Sequence, residues 1–178
     1  MSESIETITL AGGCFWCVEA VFEQVRGVID VQSGYSNGDA IRPSYEQVCT
    51  GDTGHAEVVR VRFDPTELPL ADVLAIFFAT HDPTSLNRQG NDVGTQYRSG
   101  IYWDDESQLP VIDRVRAEAD EALGGRVVTE VAAVRNYWPA EDYHQHYFAQ
   151  HPTQGYCAAV IGPKVEKFRK VFKERLKA

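Results

Sequence analysis

An apolar-alternating segment and an apolar-periodic one meet at Gly12-Gly13-Cys14-Phe15-Trp16-Cys17, and that junction dictates the first unit of the fold. Upstream, Ile8 and Leu10 alternate with Ile5, Thr7 and Thr9, which reads as a strand; downstream, Val18, Ala20, Val21, Phe22 and Val25 read as a helix from about 14 to 24. Cys14 therefore stands at a helix start, where unpaired N–H groups and the positive end of the dipole favour a thiolate. Phe15 and Trp16 add apolar surface beside it, so the junction predicts a nucleophilic sulfur acting on a small, apolar, electrophilic or sulfur-containing group. The plain alternative is an inert cysteine packed at a strand-helix junction, the usual lot of a free thiol.

Further strands are predicted at 28–35, 56–63, 97–102 and 127–134, and helices at 70–80, 106–123 and 140–150, with a last helix from Pro163 whose Val165, Phe168, Phe172 and Leu176 share a face. Strands and helices mix, with connections of irregular length, which predicts an α+β fold: a single-domain, two-layer α/β sandwich on a mixed sheet with a ferredoxin-like core. At 178 residues and 43% hydrophobic, the chain supports one domain over 1–178. The stretch 82–94 is an apolar-poor loop whose place before a strand favours function.

A net charge of −9 argues against nucleic acid, which needs a basic face to release counterions. Seven Lys/Arg against two acids between Lys164 and Lys177 read as a solvated terminal helix, not as a binding patch. Met1-Ser2-Glu3-Ser4 lacks a cationic flank and an apolar run, and no stretch approaches the roughly 18 apolar residues of a membrane span. The expected location is the cytoplasm, where Cys14, Cys17, Cys49 and Cys157 are reduced at rest and C-x-x-C means redox or metal chemistry.

Period-two alternation in 56–63 puts Glu57 on the face of Val59, Val61 and Phe63, while Arg60 and Arg62 point away with Val58. An inward carboxyl is desolvated, stays protonated near neutrality and can serve as a general acid; a glutamate reaching water past the sheet rim is the competing reading. Tyr45 and Tyr97 border irregular, glycine-flanked segments where a phenol can donate to a polarised oxygen. His144, His146 and His151 invite a metal, but positions i and i+2 of a helix face apart, and no second pair completes a tetrahedral site with Cys14 and Cys17, so none is predicted.

Several blocks in order closely resemble the A-type peptide methionine sulfoxide reductases: G-G-C-F-W at 12–16, P-S-Y-E-Q-V-C-T-G-D-T-G-H-A-E at 43–57, H-D-P at 81–83, Q-G-N-D-V-G-T-Q-Y-R-S at 89–99, A-E-D-Y-H-Q at 140–145 and G-Y-C at 155–157. The resemblance implies Cys14 as nucleophile, Glu57 as proton donor, Tyr45 and Tyr97 as donors to the sulfoxide oxygen, Phe15 and Trp16 as the wall for the substrate methyl, and Asp92 on the polar side of the pocket. It also implies reduction of the S epimer of free and peptide-bound methionine sulfoxide through a sulfenic acid and a disulfide, with thioredoxin as reductant, in the repair of oxidised proteins. No metal, flavin or nicotinamide is called for, and the chain is expected to act as a monomer.

The commoner family pattern has glycine in place of Cys17, which leaves two candidate resolving thiols. Cys157, in the 152–178 segment, matches the family's recycling position and is the favoured direct resolver; Cys17, one turn from Cys14, is the direct or relay alternative. Cys49 is expected to be a packed structural thiol. Two other classes stay open: a dithiol oxidoreductase using Cys14 and Cys17 without Glu57 or Tyr45, and a thiol-metal binding module.

Overall fold

The computed structural model describes residues 5–151 and 153–177; Met1-Ser2-Glu3-Ser4, on which the reading of the chain's start turns, lies outside them. In chain order the elements are β1 (Glu6–Gly12), α1 (Phe15–Phe22), β2 (Val28–Ser36), α2 (Tyr45–Cys49), β3 (Ala56–Phe63), α3 (Leu70–Ala79), β4 (Arg88–Gln89), β5 (Asp92–Val93), β6 (Ser99–Trp103), α4 (Leu109–Ala122), β7 (Glu130–Ala133), β8 (Trp138–Pro139), α5 (Tyr147–Gln150) and α6 (Gly162–Val171). The main sheet runs β7-β6-β1-β3-β2-β8, with β4 and β5 forming a separate small hairpin. Every neighbouring pair in the main sheet is antiparallel except β6 with β7, so the sheet is mixed as expected.

Alternation decides which face is covered. Ile8 and Leu10 pair with Val61 and Val59, and these side chains share a core with Phe15, Val18 and Phe22 of α1, Val73 and Phe77 of α3, Ile112 of α4 and Phe168 of α6. The helices thus bury one face of the sheet, where each large apolar side chain contributes about 1.5–3 kcal/mol. The opposite face carries a smaller cluster of Ala11, Ala56, Val58 and Tyr102 under Val134 and Tyr137, while Arg60 and Arg62 reach solvent.

Several expectations need correction. Tyr97 closes a 3₁₀ turn, Thr95–Tyr97, and the strand begins only at Ser99. The helix expected over 140–150 is broken: Asp142–His144 form a 3₁₀ turn, His146 is left-handed at φ 56°, and only Tyr147–Gln150 are helical. The 127–134 strand shrinks to Glu130–Ala133, because Arg116 Nε donates to the Thr129 carbonyl (2.9 Å) and Arg116 Nη2 to the Val127 carbonyl (3.3 Å), outside any ladder. Cys49 is exposed at the end of α2, not packed, since five helical residues turn only Val48 inward.

The basic C-terminal stretch is partly tied down. Arg175 pairs with Asp72 at 2.5 Å, the Arg26 N–H donates to the Arg175 carbonyl and the Lys177 N–H to Gln24. Val165 and Phe168 are buried, with Phe172 and Leu176 packed beside them, so the predicted apolar face holds although the α-helix ends at Val171. No helix among the described residues is long and apolar enough to cross a membrane.

Candidate active site

The strand-to-helix turn builds the site. Gly13 has φ +93°, which a side chain rarely adopts, and a Cβ there would fall 2.8 Å or less from Gln89 side-chain atoms. Gln89 is buried, accepts the Asp82 N–H at 2.9 Å and donates to the Asp82 carbonyl, so the 82–94 loop is pinned across the turn. Cys14 follows at the N-cap with φ −59° and ψ 125°, and its carbonyl accepts from the Cys17 N–H at 3.1 Å.

Glu57 reaches the same point from β3. Its side chain is 1% exposed; Oε1 accepts the Phe15 N–H at 3.1 Å, while Oε2 has no partner. Burial pushes its carboxyl up to about 8, with the Phe15 N–H opposing and the charges of Asp92 and Cys17 reinforcing. Of the two readings the alternation left open, the inward one holds, and the group carries its proton at neutral pH.

The thiols do not sit as the helix dipole alone predicts. Burial, the hydrogen bond it makes to Cys17, and the negative field of Glu57 hold the Cys14 thiol well above its ordinary value; the Trp16 N–H at the helix start is too weak an opponent. Cys17 moves the other way: Cys14 donates to it, and the charge of Lys164 and the Tyr156 hydroxyl, 4.0 Å away, help overcome its burial. Cys157 is fully buried in the same cluster, beside Cys17, Ala20, Ile161 and Val165, and burial raises its thiol.

Around the sulfur, Phe15 and Trp16 form an aromatic wall fixed from behind. Trp16 stacks on Tyr147 with centroids 3.9 Å apart, and its Nε1–H donates to His144 Nδ1 at 3.1 Å; His144 also packs on Phe15 and Tyr45 at 5.2 and 4.4 Å. Tyr45 opens α2, its N–H held at 2.9 Å by Glu141, which also accepts from Tyr35 at 2.8 Å. Burial, then the field of Glu57, pushes the Tyr45 and Tyr97 phenols up, so both remain donors. Asp92, on β5, accepts from Tyr156 at 2.7 Å, and the Tyr156 ring meets Trp16 edge-on.

All the residues singled out from the sequence, Cys14, Phe15, Trp16, Cys17, Tyr45, Glu57, Asp92, Tyr97 and Cys157, thus surround this turn. Glu141 and Tyr156 were missed, and His144, weighed from the sequence only as a metal ligand, instead accepts from Trp16. His144 and His146 diverge: the first is buried behind the wall, the second pairs with Glu23 at the surface. Buried acid, neighbouring thiols and fixed phenols under an aromatic wall make a site able to protonate an oxygen while a sulfur attacks.

Comparison with known proteins points the same way. The chain is 54% identical to a peptide methionine sulfoxide reductase MsrA of Ralstonia nicotianae, over 99% of this chain and 95% of that protein, and 49% identical to the MsrA of Saccharolobus solfataricus, over 97% and 98%. Among solved structures, reduced Mxr1 of Saccharomyces cerevisiae is similar at 35% identity with a TM-score of 0.80, covering 86% of this chain and 89% of that one. Methionine sulfoxide reductase A of Corynebacterium diphtheriae is similar at 37% and 0.78, covering 87% and 78%. The model of the family described as peptide methionine sulfoxide reductase matches residues 6–176, and the chain belongs to that family as one of its MsrA oxidoreductases.

Proposed function

We propose that the chain reduces the S epimer of methionine sulfoxide, free and in oxidised proteins, with Cys14 as nucleophile and Glu57 as acid. The observation that carries this reading is the buried, protonated Glu57 anchored on the N–H of the residue after Cys14. The substrate methyl lies against Phe15 and Trp16, and its oxygen faces Glu57, Tyr45 and Tyr97. Cys14 sulfur attacks the sulfoxide sulfur while Glu57 protonates the oxygen, giving a sulfur–sulfur adduct; the hydroxyl then passes from the substrate sulfur to Cys14 as the substrate S–O bond and the new S–S bond both break, the electron pair of the S–S bond reduces the substrate sulfur to the thioether, and Cys14 is left as a sulfenic acid. The proton that Cys14 gives up restores Glu57. Asp92 holds the polar side of the pocket through Tyr156.

Cys17 then displaces hydroxide from the Cys14 sulfenic acid, forming a disulfide and water, and Cys157 attacks Cys17 to free Cys14. The single turn between Cys14 and Cys17 at the start of α1, the lowered Cys17 thiol and the raised, fully buried Cys157 thiol support this order over the direct attack by Cys157 that the family block favours. Thioredoxin is the reductant on this reading; yeast Mxr1 has been crystallised in complex with Trx2. We further read 1–178 as one monomeric reductase domain with 152–178 as the recycling segment, and the cytoplasm as the compartment that keeps four free thiols reduced. The order β6-β1-β3-β2, with α1 after β1 and α3 after β3, supports the ferredoxin-like reading of the core.

Racemic N-acylated methionine sulfoxide with dithiothreitol, followed by chiral chromatography, tests the activity: only the S epimer disappears, and Cys14→Ser abolishes the loss. If neither epimer is consumed, or if Glu57→Gln keeps full turnover, the dithiol oxidoreductase reading replaces this one. Mass spectrometry after one turnover without reductant tests the order of thiols. A Cys14–Cys17 disulfide accumulates in Cys157→Ser; a sulfenic acid persisting there instead assigns resolution to Cys157.

A further inference from the structure

On α1, the face turned away from the thiols carries a second arrangement that the reduction of sulfoxide does not use. Glu19 is 1% exposed, yet its Oε2 has no hydrogen-bond partner. Glu23, four residues on, shares that helix face. The third member arrives from the broken 140–150 segment: His146 adopts φ 56° and ψ 35°, a conformation unfavourable for a residue with a side chain, and its Nδ1 lies against Glu23 Oε2 and 3.9 Å from Glu19 Oε2. One ligand atom from each of the three lies within 4.8 Å of the others.

An ion pair between His146 and Glu23 accounts for two of these groups; burial pushes the Glu19 carboxyl up to about 7 against the pull of the His146 and Tyr147 backbone N–H groups, and its Oε2 is left without a hydrogen bond. A buried carboxylate oxygen without a partner costs free energy, and here it is aimed at two further donors. We infer that Glu19, Glu23 and His146 form a binding site for a divalent transition-metal cation of the zinc class, separate from the catalytic thiols. One imidazole and two carboxylates are a donor set such ions accept; donors about 2.1 Å from a tetrahedral metal stand about 3.4 Å apart, close to the 3.9 Å between Glu19 and His146, while His146 and Glu23, in direct contact without the ion, must part to admit it. His146 and Glu23 are 51% and 24% exposed, which leaves a route for entry and a position for water. The ion's two positive charges balance the two carboxylates; Asp30 and Lys177, of opposite sign, line the same 120 Å³ hollow.

Placement gives the site a consequence. His144 and Tyr147, on either side of His146, both hold Trp16. A cation bridging α1 to His146 fastens that segment and stiffens the aromatic wall without touching substrate.

The test must separate this site from the thiols, which also bind zinc. Co²⁺ titrated into the full reduced chain should be taken up to one equivalent with ligand-field bands but no thiolate-to-cobalt charge-transfer band, and the melting temperature should rise with added metal. His146→Asn and Glu23→Gln, surface changes that leave the thiols in place, should each weaken binding about 10-fold or more and abolish the melting shift. A chain with all four cysteines changed to serine, once shown folded by circular dichroism, should still take up one Zn²⁺ by calorimetry. Absence of binding, binding seen only with the charge-transfer band, or equal affinity in His146→Asn would each overturn the proposal.

Discussion

Glu57→Gln should separate the cost of the proposed catalytic acid from its use. The carboxyl stands at about 8 against 4.5 for an ordinary glutamate, chiefly through burial. Its folded-state value is the higher one, so its neutral form contributes fully below pH 4.5, and that contribution is lost as pH rises to about 8. At 1.36 kcal/mol per unit the loss is about 4–5 kcal/mol. Glutamine cannot ionise and still accepts the Phe15 N–H through its side-chain oxygen. The variant should therefore match the wild type in acid and become progressively more stable than it, reaching that margin near pH 9, or on the order of 10–15 °C in Tm. Urea unfolding of both proteins with thiols kept reduced, at steps from pH 4 to about 9, reads the difference directly because titrations outside the site cancel. Turnover of the sulfoxide should meanwhile fall at least about 100-fold. A stability difference that stays flat with pH would mean that Glu57 ionises normally, and would remove the argument for a proton held at neutrality.

Four smaller tests bear on the surrounding parts. Gly13→Ala should destabilise by about 2–3 kcal/mol and lower turnover, because the left-handed turn is strained and Gln89 must move off it. Glu141→Ala removes the acceptor of both Tyr35 and the Tyr45 N–H; KM should rise about 10-fold with a smaller change in kcat, and an unchanged KM would take Tyr45 out of substrate binding. Tyr156→Phe loses the bond to Asp92 and the contact with Cys17, so the pH midpoint for alkylation of Cys17 should move up by less than about one unit. In the free wild-type protein near neutral pH, iodoacetamide followed by peptide mapping should find Cys17 modified faster than Cys14; the opposite order would contradict the assignment of the proton to Cys14.

Local signals made the strongest parts of this molecule readable. The eight-residue alternation of 56–63 gave both β3 and the inward aim of Glu57, since a period of two leaves one choice of face once the valines are assigned. The Gly-Gly-Cys turn was legible for the same reason: a strand pattern and a helix pattern meet there with two glycines between. What the sequence hid depends on contacts distant along the chain. Glu141 and Tyr156 matter because they meet Tyr45 and Asp92, 96 and 64 residues away. The helix expected over 140–150 has adequate propensity, but its polar groups are claimed elsewhere, Gln145 by the Ser33 backbone and His146 by Glu23. α2 was missed although Ser44 and Gln47 form a capping box, a signal present in the sequence and weak over five residues. Cys49 was expected to pack as free thiols usually do, but on so short a helix it cannot face inward together with its neighbour Val48.

Helix-start reasoning alone made Cys14 a thiolate, and the structure shows why that reasoning stops short. A helix start stabilises negative charge by at most about 2 kcal/mol, and less when the charge is also withdrawn from water. Here the same N–H groups are shared with a carboxyl: Phe15 donates to Glu57 rather than to the sulfur. The carboxyl and the Cys14 thiol therefore share one small positive field; Glu57 raises the cost of ionising Cys14, and burial with the charges of Asp92 and Cys17 raises that of Glu57. Both keep their protons until a third group changes the balance. On the proposed reading a sulfoxide oxygen, polar and basic, is such a group: it draws the Glu57 proton, and the carboxylate left behind takes up the proton of the thiol. In the free protein the same arrangement holds the Cys14 thiol above its ordinary value, a poor nucleophile toward other oxidants, while the Cys17 thiol is held below its own. The difference between the two thiols then follows both from their mutual interaction, which the C-x-x-C spacing sets, and from the buried acid that β3 places beside Cys14.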